Sequence, residues 1–453
     1  MVRFFLFVSI LCFSYSVEAK KKIDAGLTHS VLLKSDGSVW VTGSNLIGNL
    51  GDGTTVSKTQ FEQLSTIDSV VSVEAGNDVT FFLKADGAVW VSGSNHYGQS
   101  GTGTVLYDSI PRKLDTLNKI AEISAEGRYA LFLSENGNVW VTGLNDNGEH
   151  GDGTKDSKTK PHKIPNLTDV IAISAGYSHS LFLKSDSTVW ASGYNQHGGL
   201  GDGTVSEKTT PVQVSQLTGI IAIAAGNEYS VFLKSDGTVW AAGANANGQL
   251  GDGTNVSKFV PIKNNFIDNV VKIAAHLTTL MVKNDGTVYG CGFNHLGQLG
   301  LGDSITRFIP TKIDTLTGIS DIAVHNHSLF LNEDCALFGA GWNTLGQIGD
   351  RTLINSKIPS VAFDSCKVES TNDQSPQPFV ALFPNPAKDV VKISLANSEL
   401  VSLQLFSLNG VLFFDKPEVS KELVLDVSGI PSGIYHVVVT SSKGLYVKKL
   451  VKQ

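Results

Sequence analysis

Cysteine and long apolar runs are scarce in this sequence. Only four cysteines occur among 453 residues, too few for the disulfide-rich scaffold of a small secreted protein. The one extended apolar run, residues 4–13, is about half the length that a membrane-spanning helix needs. We therefore expect no membrane span in the mature chain. No segment has a convincing helical period, which argues against an α-helical fold.

Basic clusters and catalytic motifs are also missing. The net charge is −7 with no basic cluster, which argues against a phosphate-binding surface and therefore against a nucleic-acid partner. The sequence contains no His-Glu-x-x-His, no Gly-x-Ser-x-Gly and no phosphate-binding loop. We therefore expect neither an enzyme nor a cofactor-binding protein.

The N-terminus has the form of a secretory signal peptide. Met1-Val2-Arg3 supplies a basic tip, the apolar run follows, and Val17-Glu18-Ala19 ends the segment with a small-x-Ala pattern. We expect residues 1–19 to be removed by cleavage after Ala19, and an uncleaved anchor is the alternative. Export permits a disulfide bond.

A Gly-x-Asn tripeptide recurs seven times, and successive copies lie 50 or 49 residues apart. A fixed period of this length indicates a repeat architecture. The copies begin at Gly43, Gly93, Gly143, Gly193, Gly243, Gly292 and Gly341. Repeats occupy the chain from about residue 23 to residue 363, within a domain that we place at residues 20–366.

Each repeat contains four short segments that are β-branched or aromatic and bounded by turn residues. Repeat five has them at residues 220–226, 230–234, 238–243 and 260–263. Four antiparallel strands repeated seven times predict an all-β, seven-bladed β-propeller, because radial repetition protects the sheet edges. An open solenoid is the alternative, and the complete four-stranded unit in each repeat disfavours it.

Three recurring features support four strands per repeat. Asp36-Gly37 and its equivalents predict two-residue type I′ turns between strands two and three, with Asp186-Ser187 and Asp334-Cys335 as departures. Proline is predicted to open strand four from Pro111 onward. Strand three carries an aromatic residue, interpreted as packing between blades rather than a binding ring, at Trp40, Trp90, Trp140, Trp190, Trp240, Tyr289 and Phe338.

Repeat five contains Ala225-Gly226, then Asp236-Gly237-Thr238-Val239-Trp240, then Gly243-x-Asn245-x-x-Gly248-Gln249-Leu250-Gly251. With these residues the repeat resembles the regulator of chromosome condensation repeat. The resemblance covers residues 23–365 and implies a seven-bladed propeller. The family's eponymous member is a nuclear nucleotide-exchange factor that uses an inserted wedge and binds chromatin. Repeats of at most 50 residues leave no room for a wedge, so exchange activity is not expected here.

Three cysteines remain after signal removal. Cys335 falls at the hairpin turn of repeat seven and Cys366 follows the last strand of that repeat, so we predict a Cys335–Cys366 disulfide. Cys291 falls on a strand where other repeats have Ala242 or Ser192. We interpret it as a small buried residue.

The C-terminal part forms a second domain. Residues 367–378 have a polar, proline-containing linker composition, and short alternating runs in residues 379–453 predict a small β-sandwich. Three segments stand out in this part: Phe383-Pro384-Asn385-Pro386-Ala387-Lys388-Asp389, Leu408-Asn409-Gly410, and Ile430-Pro431-Ser432-Gly433-Ile434-Tyr435 with terminal Lys448-Lys449-Leu450-Val451-Lys452. Together they resemble the type A C-terminal sorting domain of the type IX secretion system.

This resemblance implies that the type IX secretion machinery recognises residues 379–453. It also implies export across the inner and outer membranes of a Bacteroidota-type bacterium, to the cell surface or outside. The alternative is an ordinary carbohydrate-binding or adhesive sandwich.

In a four-stranded meander, the one-to-two and three-to-four connections emerge at the same end. On that face the recurring Gly and Asn are expected to shape loops, while the residue between them varies. Aromatic residues concentrate in repeats four, six and seven, which predicts a ligand surface at Tyr194, His197, Phe293, His295 and Trp342. Alternatively, Phe293 and Trp342 fill gaps between blades.

Other polar positions have structural interpretations. The Asp of Gly-Asp-Gly-Thr, as at Asp52, is expected to cap its turn, since each loop offers one carboxylate and Ca²⁺ prefers six to eight oxygens. His325-Asn326-His327 hints at a metal, but the sequence offers no second cluster, so no metal site is predicted. Structural hydrogen bonds are expected from the first residue of strand two, at His29, Tyr129, His179, Tyr229 and His327.

The sequence therefore predicts an exported, non-enzymatic propeller that presents its loop face to a protein or glycan. An alternative is a secreted protein inhibitor of an enzyme, because one bacterial branch of the resembled fold blocks β-lactamases. A polysaccharide-active hydrolase or lyase is the third, least supported class.

Overall fold

A computed structural model describes residues 21–333, 335–364, 380–383, 387–395, 400–407, 412–416, 422–441 and 444–453. Its contacts divide the chain into two compact units, Met1–Lys367 and Val368–Gln453. Among the described residues, no helix is long and apolar enough to cross a membrane. The signal peptide, its cleavage after Ala19, the linker at residues 367–378 and Cys366 lie outside the described residues, so the Cys335–Cys366 disulfide stays a prediction.

The first unit consists of seven four-stranded antiparallel sheets, each built from consecutive strands. Blades one to four comprise β1 Ile23–Ala25, β2 His29–Leu33, β3 Val39–Gly43, β4 Lys58–Gln63; β5 Val70–Ala75, β6 Val79–Lys84, β7 Val89–Gly93, β8 Asp108–Lys113; β9 Ile120–Glu126, β10 Tyr129–Ser134, β11 Val139–Gly143, β12 Lys158–Lys163; β13 Val170–Ala175, β14 His179–Lys184, β15 Val189–Gly193, β16 Lys208–Gln213. Blades five to seven comprise β17 Ile220–Ala225, β18 Tyr229–Lys234, β19 Val239–Gly243, β20 Lys258–Lys263; β21 Val270–Ala275, β22 Thr278–Lys283, β23 Val288–Gly292, β24 Arg307–Lys312; β25 Ile319–Val324, β26 His327–Asn332, β27 Ala336–Gly341, β28 Ser356–Asp364. The predicted seven-bladed β-propeller is confirmed.

The turn between strands two and three differs from the prediction. Gly37 has φ +82°, but its Asp36 neighbour is not in the left-handed region, so the turn is not type I′. Gly37 N donates to Lys34 O at 3.0 Å, and Lys34 N donates to Ser38 O at 2.9 Å. These bonds define a three-residue loop with one left-handed residue. The Asp36 carboxylate accepts from Ser38 N at 2.9 Å, which stabilises the turn without a positive φ at Asp36.

The predicted position of proline in strand four is also wrong. They lie inside the strand rather than opening it, as Pro161 does within β12 Lys158–Lys163. The pairing of β11 with β12 shifts register between Val141 and Gly143. Proline is compatible with this position because strand four is the outer strand of the sheet and its ladder is interrupted there.

Aromatic residues on strand three pack between blades. Trp240 of blade five packs against the core of blade four, which includes Leu181 and Val189. Trp190 of blade four packs in the same way against Val139 of blade three. The interpretation of these residues as inter-blade packing is confirmed.

The ring closes by packing rather than by exchange of a strand between its ends, because the first and seventh described sheets each use only their own consecutive strands. Ile23 and Phe61 of blade one share a core with Leu329 and Leu337 of blade seven. A Cβ atom at Gly349 would lie 2.7 Å from the Phe61 ring. Phe61 therefore fills, at the closure, the place that proline has in strand four elsewhere.

The second unit has two sheets. Strands β29 Val380–Phe383, β30 Val390–Leu395 and β33 Glu422–Asp426 form one, and the other contains β31 Leu400–Ser407, β32 Leu412–Lys416, β34 Gly433–Ser441 and β35 Gly444–Lys452. Val391, Leu405 and Leu450 are buried in one shared core. Tyr435, in the third sorting segment, donates its hydroxyl to Pro431 O at 2.7 Å. Residues 384–386 and 408–410 of the other two segments lie outside the described part of the chain.

Candidate functional site

The connections separate into two faces of the propeller. Ser44 N, after strand three, donates to Thr28 O, in the one-to-two connection, at 2.9 Å. At the other end, a Cβ atom at Gly37 would lie 3.3 Å from Val70 O, beside the link into the next repeat. We call the first face, formed by residues 26–28 and 44–57 and their equivalents, the loop face. The second face carries the tight turns and the inter-repeat links.

The recurring asparagine holds each loop together from inside. Asn195 is fully buried, and its Oδ1 accepts from Leu200 N at 3.0 Å. Its Nδ2 donates to Asp202 Oδ1 and to Thr204 O, both at 3.1 Å. The equivalent backbone N–H bonds the asparagine in all seven repeats, at Leu50, Ser100, His150, Leu200, Leu250, Leu299 and Ile348. The predicted role in loop shape is confirmed.

The aspartate after the loop glycine caps the following turn. Asp52 Oδ1 accepts from Thr54 N at 2.9 Å and from Thr54 Oγ1 at 2.8 Å. Lys58 Nζ lies 3.4 Å from Asp52 Oδ2. Burial raises the pKa of Asp52, but the hydrogen bonds from Thr54 and Asn45 and the charge of Lys58 lower it more, so the carboxylate stays ionised.

Tyr194 and His197 lie together in the loop of repeat four. Their ring centroids are 6.3 Å apart. Tyr194 is half-buried and His197 is exposed. His197 Nδ1 lies 2.8 Å from Glu228 Oε2 of the next repeat. Burial and the Glu228 charge raise the pKa of Tyr194, so the phenol is a neutral hydrogen-bonding group.

Phe293 and His295 form a second pair in repeat six, with ring centroids 4.6 Å apart. Phe293 and Trp342 of repeat seven are both half-buried, while His295 is exposed. In the part of the chain that the structure describes, the aromatic contacts join residues within each pair and none joins one pair to the other. A single ligand surface spanning repeats four, six and seven therefore stays a prediction.

The loop face also carries exposed groups that the sequence prediction left out. Arg128 lies over the ring of Tyr97 at 4.5 Å, and Tyr177 is 40% exposed. Tyr97 follows the recurring asparagine, and Arg128 and Tyr177 lie in one-to-two connections. A comparison of the one-to-two connections across the repeats could have identified Arg128 and Tyr177 from the sequence.

Histidine and tyrosine at the start of strand two join neighbouring blades. His179 Nε2 lies 2.9 Å from Ser230 Oγ, and Ser230 Oγ donates to Gly199 O at 2.7 Å. Because the serine proton is used there, His179 donates through Nε2. Equivalent contacts join His29 to Thr80, Tyr129 to Ser180, Tyr229 to Thr279 and His327 to Ser30. The predicted structural hydrogen bonds are confirmed.

A polar cluster forms near the axis, where strand one ends. Glu126, His276 and His325 occupy the register that is glycine in the four other repeats, at Gly26, Gly76, Gly176 and Gly226. Glu126 Oε1 lies 3.7 Å from His276 Nε2 and 3.2 Å from His325 Nε2. The two imidazole rings stack at 3.7 Å. The sequence offered His325 without a supporting cluster, whereas the fold brings Glu126 and His276 beside it.

Hydrogen bonds fix His325 within this axial cluster. Asn326 N donates to His325 Nδ1 at 2.9 Å, so Nδ1 is an acceptor and Nε2 carries a proton. That nitrogen faces Glu126 and also Asn77 Oδ1 at 3.1 Å. Burial raises the pKa of Glu126, but the histidines lower it more, to about 2. The cluster therefore links the blades through an ionised carboxylate.

A central channel of about 260 Å³ is lined by strand one of every blade. Lys21 Nζ lies 2.8 Å from both Asp24 and Glu74. These carboxylates also bond the next blade, because Ala75 N donates to Asp24 at 2.7 Å and Ala125 N donates to Glu74 at 2.9 Å. The channel carboxylates thus have structural partners.

Family models match both units. The secretion system C-terminal sorting domain matches residues 381–453. One regulator of chromosome condensation (RCC1) repeat model matches residues 136–183, 186–233, 236–281 and 285–331, and a second matches residues 21–46, 70–99, 170–198 and 220–249. The two repeat models together cover more than half of the chain. Comparison with curated protein sequences gives no match.

Solved structures share the propeller fold. Prp20p from Saccharomyces cerevisiae, described with its binding to Gsp1p and histones, is 21% identical with a TM-score of 0.65, over 74% of this chain and 88% of that one. Human WBSCR16 is 21% identical with a TM-score of 0.64, over 72% and 94%. Yeast RCC1 (Prp20) bound to Kap60 is 20% identical with a TM-score of 0.66, over 74% and 86%.

Proposed function

Since this chain belongs to the regulator of chromosome condensation repeat family and ends in a secretion-system sorting domain, we propose that it is a non-enzymatic scaffold whose loop face binds a protein or glycan outside the cell. The sorting domain indicates export to the cell surface or beyond. Propellers of this family typically bind or regulate other molecules rather than catalyse reactions. The binding role and the class of partner are our proposal.

One observation carries the proposal: the loops have a buried frame and variable, accessible side chains. Asn45, Asn145 and Asn195 are 0% exposed. Leu46, on the loop of Asn45, is 71% exposed, and Tyr97, on the loop of the buried Asn95, is 38% exposed. A frame that is fixed by internal hydrogen bonds can hold different side chains at low conformational cost, which favours binding.

The chemistry of these side chains fits a partner with both apolar and polar groups. Tyr194 presents a ring and a hydroxyl, and the neighbouring His197 and Glu228 add a polar pair whose Nδ1 and Oε2 atoms lie 2.8 Å apart. Arg128 over the Tyr97 ring combines a charge with an aromatic surface. Tyrosine and arginine are enriched among residues that dominate binding energy, and aromatic rings also stack on sugars.

The experiment compares loop-face variants with a matched aromatic control. Full-length secreted protein is tested for binding to washed outer-membrane vesicles of the producing bacterium and to a panel of purified polysaccharides. We expect Y194A/F293A/W342A to reduce binding at least tenfold. F266A should bind like wild type, because Phe266 is 53% exposed but lies in an inter-repeat link, outside the variable positions of the loops.

Thermal unfolding of each variant separates lost binding from lost folding. Unchanged binding by the folded triple variant, or an equal loss in F266A, would contradict the proposal. Failure of the wild-type protein to bind any of these probes would also count against it.

A further inference from the structure

Repeat three has two histidines at registers where no other repeat has one. His150 occupies the place of Leu50, Ser100, Leu200, Leu250, Leu299 and Ile348. His162 occupies the place of Glu62, Arg112, Val212, Ile262, Thr311 and Ser360. The two imidazole centroids lie 5.2 Å apart. The paired change brings two potential metal ligands together in one blade.

His150 is a buried imidazole without hydrogen-bond partners. Its side chain is 0% exposed, and neither Nδ1 nor Nε2 makes a hydrogen bond. Its backbone N donates to Asn145 Oδ1 at 2.9 Å, so the residue is held in the same loop frame as its leucine equivalents. A buried polar group without a partner destabilises the folded state, so this histidine requires an explanation that leucine would not.

Asp152 differs from the other capping aspartates. In repeats one, four and five a lysine lies 3.4 Å from the second carboxylate oxygen. In repeat three, Lys158 instead lies 3.7 Å from Asp156. Asp152 Oδ1 is fixed by Thr154 N at 2.9 Å and Thr154 Oγ1 at 2.7 Å. Its Oδ2 lies 3.0 Å from His162 Nε2.

We propose that His150, Asp152 and His162 form a site for a divalent transition-metal ion of the Zn²⁺ class. One ligand atom from each residue lies within 4.8 Å of the other two. Two imidazole nitrogens and one carboxylate oxygen are a donor set that such ions prefer. Ligand atoms around zinc are about 3.3 Å apart in a tetrahedral site, so small side-chain rotations complete the geometry.

The surroundings fit the ion. The bonds from Thr154 orient the carboxylate, which is the usual role of outer-sphere partners. The His162 side chain is 27% exposed, so solvent can supply a fourth ligand.

The ion would tie strand four of blade three to its loop. His162 lies on β12 Lys158–Lys163 and pairs with Val141, whereas His150 and Asp152 lie in the connection that leads to that strand. Binding would stabilise this loop of the loop face directly. It requires no other blade and no partner.

The chain provides its own metal-free comparison. Repeat five has Leu250, Asp252 and Ile262 at the same three registers, so H150L/H162I rebuilds a packing arrangement that already exists in the molecule. Full-length protein without a histidine tag, stripped with a chelator, is titrated with Zn²⁺ and with Co²⁺. Calorimetry gives stoichiometry and affinity, and Co²⁺ absorption reports the ligand geometry.

We expect one Zn²⁺ per chain, a rise in the thermal midpoint on binding, and at least a hundredfold weaker affinity in H150L/H162I. D152N, which keeps the turn bonds to Thr154, should weaken binding at least tenfold and serves if the double variant does not fold. Equal zinc affinity in wild type and H150L/H162I would place the metal elsewhere and overturn the proposal. Absence of stoichiometric binding by the wild-type protein would overturn it too.

Discussion

At the scale of single residues, the start of strand two decides how neighbouring blades are joined. His179 donates to Ser230 at 2.9 Å, and Tyr129 contacts Ser180 at 3.0 Å. Between blades two and three, Val79 and Ala130 are both buried at the corresponding positions. Donor and acceptor are thus lost together there, and no buried polar group is left unpaired.

Replacing His179 tests this bond. H179Y should stay within about 1 kcal/mol of wild type, because Tyr129 and Tyr229 are hydrogen-bonded to the equivalent hydroxyls of Ser180 and Thr279. H179A should lose about 2–4 kcal/mol, since it removes both the bond and buried volume. Urea unfolding measures both variants. Equal losses in H179Y and H179A would contradict the bonding role.

Buried histidines predict acid sensitivity. Burial lowers the pKa of His29 to about 3, of His179 to about 4 and of His276 to about 3. These rings stay neutral when folded, whereas unfolded histidines bind protons below pH 6.5. Their contribution is therefore fully present above pH 6.5 and is lost as the pH falls toward 4. Burial raises the pKa of Glu74, which acts in the opposite direction.

The free energy of unfolding should consequently fall between pH 7 and pH 5. We expect a slope of about 1–3 kcal/mol per pH unit, from the net uptake of about one to two protons. H179Y should have a shallower slope than wild type. Stability that is flat or rises over this interval would contradict the assignment of neutral buried histidines.

The role of a residue could be predicted from the sequence where the same residue recurs in every repeat. It could not be predicted where single repeats depart from that pattern. Each recurring asparagine could be assigned to loop shape because only its own loop is involved. The meeting of Glu126, His276 and His325 depends on how the ring brings repeats three, six and seven to one axis. Sequence spacing within a repeat carries no information about that distance.

At the scale of elements, one backbone position in the two-to-three turn requires the left-handed conformation. Gly37 and Gly237 adopt it at φ +82° and +78°, and Ser187 adopts it at +64°. The sequence prediction assigned positive φ to two residues because it counted only the Asp-Gly pair. The aspartate carboxylate accepts a hydrogen bond from the backbone N–H two residues later. The resulting loop has three residues, and only one of them is in the left-handed conformation.

Ser187 therefore offers a stabilising substitution. S187G should raise the free energy of unfolding by about 1 kcal/mol, because a left-handed conformation costs a residue with a Cβ atom about that much. S185G, at a position of ordinary φ in the same loop, should give no gain. Denaturant unfolding compares the two variants, and an equal effect would contradict the turn assignment.

At the scale of the whole molecule, export is expected to depend on the C-terminal unit. Deletion of residues 381–453, the segment matched by the sorting-domain model, should leave the propeller inside the cell envelope. Immunoblots of culture medium, cell surface and periplasm measure the distribution, with F266A as a full-length control. Undiminished export of the deletion protein would contradict this dependence.

The blade number and the separate C-terminal sheets were predictable because each repeat is a complete sheet and the composition changes after residue 366. Ring closure was not, since it rests on contacts such as that between Ser30 and His327, 297 residues apart. The candidate ligand residues were identified as variable positions on one face. Whether these residues act together depends on distances between blades, which cannot be read from the sequence of any single repeat.

The most direct test of the binding face is site-specific photocrosslinking in the producing culture. Benzoylphenylalanine is placed singly at Tyr194, Phe293 or Trp342 on the loop face, and at Asp36, Asp186 or Asp236 in the tight turns of the opposite face. We predict adducts of discrete mass from the loop-face positions and none from the turns. Adducts that arise equally from both faces, or only from the turns, would contradict the account.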